Sequence, residues 1–148
     1  MSRRAGFSLI ELMTVVVILG MIAAFSVPGI AKALAGWNLH TSRELVISEV
    51  KLLREKAIAE GRSRHIWFSP GTSLYWFQNP TTSVWTSYNL PSRVTFLSVN
   101  FSPPSTGTFD TYLLPNGQSA GSGTIVLVNT KGVKDTVLVN LSGFVGQP

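Results

Sequence analysis

Cysteine is absent from all 148 residues, which excludes a disulfide framework and any thiol chemistry. Histidine is nearly absent too: His40 and His65 fall on separate predicted elements, and beyond Glu60 only Asp110 and Asp135 supply acids. That stock is too small for a catalytic triad, a paired-carboxylate site or a metal cluster. No Gly-x-Ser-x-Gly elbow and no phosphate-cradling glycine loop occurs. No enzyme, cofactor or metal site is therefore expected, and a membrane-tethered enzyme has no residue set to carry it. Charge is sparse as well, with 13% Asp, Glu, Lys and Arg and a net charge of +5. Setting aside Arg3 and Arg4 from the 12 basic residues, against 7 acids, leaves an excess of three. So mild an excess does not identify a nucleic-acid binder.

What the chain does have is an apolar run from Phe7 to Val27, broken near its start by Glu11 and preceded by the basic head Met1-Ser2-Arg3-Arg4-Ala5-Gly6. A run of about 20 apolar residues is long enough to span a bilayer as a helix. Arg3 and Arg4 just before it favour a cytoplasmic N-terminus, with the remainder across the membrane. A lone acid in such a run is costly in hydrocarbon and needs a partner. If the chain is cut after Gly6, Phe7 gains a free ammonium, and Glu11 lies about one helical turn away. The two would neutralise each other, within one chain or between neighbours. The competing reading is an ordinary secretory signal peptide, with small-x-small cleavage candidates at Ala24-Phe25-Ser26 and Ala33-Leu34-Ala35. It leaves Glu11 without a purpose, as does a plain single-span anchor.

Gly6-Phe7-Ser8-Leu9-Ile10-Glu11-Leu12 resembles the processing site of type IV prepilins and type II secretion pseudopilins. The resemblance implies cleavage after Gly6 by a membrane prepilin peptidase, N-methylation of Phe7, and a role for Glu11 in adding subunits to a filament. It implies as partners the other pilins of a hetero-oligomeric filament, with the bacterial inner membrane as the site of assembly. The expected organisation is a leader at 1–6, a transmembrane and filament-core helix at 7–35, and a globular head at 36–148. In that head, helix continues to about residue 60 and strands follow.

Leu39, Val46, Val50, Leu53 and Ala57 recur at spacings of seven, four, three and four, which places them on one helical face. Gly61 reads as the helix stop. The whole helix would exceed fifty residues, on the order of 80 Å. Pro28 lacks a backbone donor and predicts a kink or flexible point between anchor and head. After Gly61 the pattern turns to β, with strands expected at 64–68, 74–78, 84–88, 93–100, 111–114, 124–129 and 136–140. In 124–129 both alternating faces are apolar, which predicts cover on both sides. The stretch 101–109, rich in Ser, Thr, Gly and Pro, reads as a surface loop. The fold class is α+β: a long N-terminal helix packed on an antiparallel, sandwich-like head.

The segments 53–61, 109–117, 123–127 and 137–143 resemble the GspH/FimT family of minor pilins, which pack a long helix against paired sheets. Members that bind DNA for uptake tend to carry Gly-Arg-x-Arg near the C-terminus. Here Gly143-Phe144-Val145-Gly146 has lost both arginines, and phosphate contact needs cations. A DNA partner is left with a weaker basis: Trp67, Phe68, Tyr75, Trp76, Phe77, Trp85 and Tyr88 as stacking platforms, with Arg62, Arg64 and Arg93 as cations. Aromatics in consecutive strands more commonly form core and cross-strand pairs. His65, beside Trp67 at a strand start, reads as a surface residue.

Overall fold

Apolar residues with few helix breakers dominate the first sixty positions, and they form one helix, α1 (Leu9–Glu60). The computed structural model describes residues 8–91, 93–103 and 109–148, with the side chains of 25–29, 31 and 32 not included. Gly6 and Phe7, the expected processing site, lie outside the described residues, as does the middle of 101–109. Ser8 leads into the helix, its carbonyl accepting the backbone N–H groups of Glu11 at 3.0 Å and Leu12 at 3.2 Å. The helix is continuous through position 28. It stops at Gly61, whose φ of +62° reverses the chain. There the Gly61 N–H donates to Ile58 O and the Arg62 N–H to Ala57 O, the paired 5→2 and 6→1 bonds of a Schellman cap.

Contacts divide the chain into two units, Met1–Leu34 and Ala35–Pro148. In the first, Leu9, Ile10, Leu12, Met13, Val15, Val16, Val17, Ile18 and Leu19 are all exposed. These positions cover every side of the helix, so there is no polar face to turn toward water. Thr14 satisfies its hydroxyl internally by donating to Ile10 O at 2.7 Å. Among the described residues no helix is long and apolar enough to cross a membrane.

The second unit carries two four-stranded antiparallel sheets. One has the order β3-β2-β1-β5, with β1 (Arg64–Phe68), β2 (Leu74–Gln78), β3 (Trp85–Asn89) and β5 (Asp110–Leu113). The other has the order β4-β6-β7-β8, with β4 (Val94–Ser102), β6 (Ser122–Asn129), β7 (Lys134–Val139) and β8 (Val145–Gly146). All five residues of the predicted helical stripe are buried in one cluster with side chains of both sheets, among them Ile66, Phe68, Phe96, Leu113, Leu127 and Val137. Three polar ties fix the helix to this β layer. Asn129 Nδ2 donates to Ala35 O at 3.2 Å, Arg43 pairs with Asp135 at 3.1 Å, and Arg54 Nε donates to Gly117 O at 2.7 Å. Glu44 and Asp135 hold the Arg43 guanidinium charged, shifting its pKa further upward against the cost of burial.

Two expectations about the strands need correction. Phe101 is no loop residue: it lies within β4, one residue before its end, pairs with Gly123 and is buried in the core. In β6 only Ile125, Leu127 and Asn129 are buried, whereas Val126 and Val128 are half-exposed. The strand is therefore covered on one face within this chain, as antiparallel sheets commonly are. The two-residue β8 escaped the sequence pattern because it is held by pairing to Leu138 and Val139 and has no periodicity of its own.

Candidate functional site

Glu11 is the acid of the helix's first turn, and its side chain is exposed. That position suits a carboxylate, because unpaired N–H groups make a helix N-terminus electropositive.

Strand alternation sorts the aromatics of the head into two sets. Phe68 and Tyr75 turn inward, where their rings meet each other and Phe96. Trp67 pairs in register with Trp76 and with Asp110, while His65 pairs with Gln78 and with Tyr112. These side chains share the outer face of the β3-β2-β1-β5 sheet, and Gln78 brings Trp85 beside them. The result is a cleft of about 400 Å³ lined by His65, Trp67, Trp76, Trp85 and Asp110. Trp67 and Trp76 lie 4.5 Å apart between ring centroids.

His65 is not the surface residue its place in the sequence predicts. It is 6% exposed and Asp110 1% exposed, and Nε2 lies 2.6 Å from Asp110 Oδ2. A carboxylate only accepts, so Nε2 carries the proton in this bond. The Tyr112 ring stacks on the imidazole at 3.9 Å and Trp85 meets it edge-on at 4.8 Å. The two residues are forty-five positions apart, so only the pairing of β1 with β5 brings them together. The signal available in the sequence was the alternation that put His65 and Trp67 on one face. Among the described residues no group of three His, Asp or Glu side chains is placed to hold a metal ion.

The three arginines considered for nucleic acid do not converge on this cleft. Arg62 donates to Thr81 Oγ1 at 2.9 Å. Arg64 is engaged by Glu60, which precedes it by one helical turn's spacing. Arg93 has a φ of +72° and lies just before β4, in the other sheet, beside Pro91 and Val94.

On the inner face, burial pushes the Tyr75 phenol up to about 12, with Glu49 and then Tyr88 adding to the effect. The neutral phenol is thus favoured in the folded state. The stability this gives is complete below the phenol's ordinary value of 10 and is lost as pH rises toward 12. Melting temperature should fall across that window, and Tyr75→Phe should flatten the fall. An identical alkaline profile in the variant would show that another group controls it.

Comparison with known proteins places both regions. Residues 1–27 match the family described as the prokaryotic N-terminal methylation motif. No curated protein matches the chain. Among solved structures, the minor pseudopilin EpsH of the Vibrio cholerae type 2 secretion system superposes with a TM-score of 0.59 at 14% identity, over 75% of this chain and 96% of that one. The type IV minor pilin FimU of Pseudomonas aeruginosa gives 0.56 at 10% identity, over 74% and 87%. A second EpsH crystal structure gives 0.57 at 15% identity, over 74% and 92%. The chain thus has the pilin fold, a long helix packed on a β-rich head.

Proposed function

We propose that this chain is a minor pilin or pseudopilin, a non-enzymatic structural subunit of a type II secretion pseudopilus or a type IV pilus. The observation that carries the reading is a helix apolar on every side and exposed throughout its first turns, lying within the stretch 1–27 that matches the methylation-motif family. Such a surface is stable only against lipid or against other apolar helices. In the precursor, the run from Phe7 to Val27 anchors the chain in the inner membrane, with Arg3 and Arg4 on the cytoplasmic side. Prepilin peptidase then cuts after Gly6, and Phe7 is methylated. In the filament the helices pack side by side and exchange lipid for one another. The Phe7 ammonium meets a Glu11 carboxylate, and because a buried unpaired charge is strongly disfavoured, the pair sets axial register. Pro28 supplies a point of flexibility between the anchor and the head at 36–148.

The match of the motif, together with the fold, supports this reading over an ordinary secreted domain. It is also preferred to a DNA receptor, because the arginines that role needs stand apart from the aromatic cleft. Mass spectrometry of the N-terminal peptide from membrane-extracted protein tests it directly. A chain starting at methylated Phe7 is expected. One that retains Met1, or one that starts near Val27 or Gly36, would overturn it.

A further inference from the structure

We propose that the tryptophan-lined cleft on the outer face of the β3-β2-β1-β5 sheet is a binding site for a neutral saccharide. The outer face of an antiparallel sheet ordinarily meets water with polar side chains. Here it carries Trp67, Trp76 and Trp85 around a histidine–aspartate pair. The chain has four tryptophans in all, so three of them converge on this one feature.

The charges in the cleft select against an ionic ligand. Among the described residues no lysine or arginine lines it, so a phosphate or carboxylate finds no counter-ion there. Its one carboxylate, Asp110, is bound at 2.6 Å by His65, so a cation finds that acid already occupied. What the cleft offers is flat indole surface beside a polar floor that is nearly closed to solvent. A pyranose ring matches the indole surface: one face presents C–H groups to an indole, and its rim hydroxyls stay in water beside the exposed edge of Trp85. Aromatic surface with a few fixed polar groups is the usual make-up of a small-ligand site, and about 400 Å³ falls within the range of such sites. The inference stands on the cleft alone and is independent of the filament reading.

The test uses the full chain in a non-glycosidic detergent, titrated with cellotetraose, maltotetraose and chitotetraose and followed by saturation-transfer NMR. At least one should bind in the millimolar range, with transfer strongest to C–H protons of one ring face. Trp85→Ala and Trp76→Ala should each weaken binding about tenfold, the size of one lost stacking contact at the upper end. Trp37→Ala, on the helix and 73% exposed, should leave it unchanged. Trp85 is itself 40% exposed, so its variant carries the result if Trp76→Ala fails to fold. The proposal is overturned if none of the three saccharides binds, or if binding survives both cleft variants. It is equally overturned if N-acetyltryptophanamide occupies the cleft while the saccharides do not.

Discussion

Glu11→Ala should abolish filament assembly while the head melts at an unchanged temperature. Two roles for this carboxylate predict effects of very different size. As a first-turn acid facing the helix N-terminus, it contributes about 0.3–1 kcal/mol to the helix. As the counter-ion of a Phe7 ammonium packed among apolar helices, its removal leaves a buried charge unpaired, at a cost of about 3–5 kcal/mol. Each 1.4 kcal/mol is a factor of about ten, so assembly should fall at least a hundredfold. The head is expected to keep its stability, since among the described residues its core cluster begins at Leu39. Glu11→Gln should match alanine, because it keeps the shape and loses the charge. Counting surface filaments or assaying secretion, alongside a circular-dichroism melt, separates the roles. Normal assembly in both variants would end the charge-pairing account.

Gly143→Ala should destabilise the head by about 3 kcal/mol, lowering its melting temperature by about 10 °C or more. Gly143 has a φ of +75°, a conformation that costs an L side chain about 1–2 kcal/mol. Sterics add to this. A Cβ there would sit 2.0 Å from the Gly117 carbonyl oxygen and 2.8 Å from Arg54 Nε. That oxygen cannot step aside freely, because Arg54 holds it at 2.7 Å, and a hydrogen bond from a charged donor contributes about 1.5–3 kcal/mol. Gly132 provides the control. Its φ is +76°, yet a Cβ there meets nothing within 4 Å, so Gly132→Ala should cost only the backbone term, about 1–2 kcal/mol. Equal losses at the two sites would show that crowding at Gly143 contributes nothing.

Periodic features were legible in the sequence, and features made by strand pairing were not. The stripe from Leu39 to Ala57, the stop at Gly61 and the β1 and β2 strands follow from local spacing and backbone chemistry, and they appear at the expected residues. Strand ends elsewhere moved by one or two residues, because turn residues such as Asp110 and Lys134 extend a ladder when a neighbour pairs with them. The His65–Asp110 pair could not be foreseen. Nothing local says that β5 docks beside β1, and both residues looked like isolated polar groups at strand edges. The aromatic run from Trp67 to Tyr88 was visible, but its division into core rings and cleft rings required the register of three strands. In the other sheet the apolar alternate positions Val126 and Val128 misled, since β-branched residues favour strands whether or not the second face is covered.

The three polar ties along the helix have a mechanical consequence. Ala35, Arg43 and Arg54 are fastened to the end of β6, to β7 and to the Gly117 loop in succession. At 1.5 Å per residue the fastenings are spread over about 28 Å of helix. A tug along the helix axis therefore strains all three at once, in shear, and cannot unzip them singly from one end. A pull on the helix at Ala35 is thus shared by the whole head.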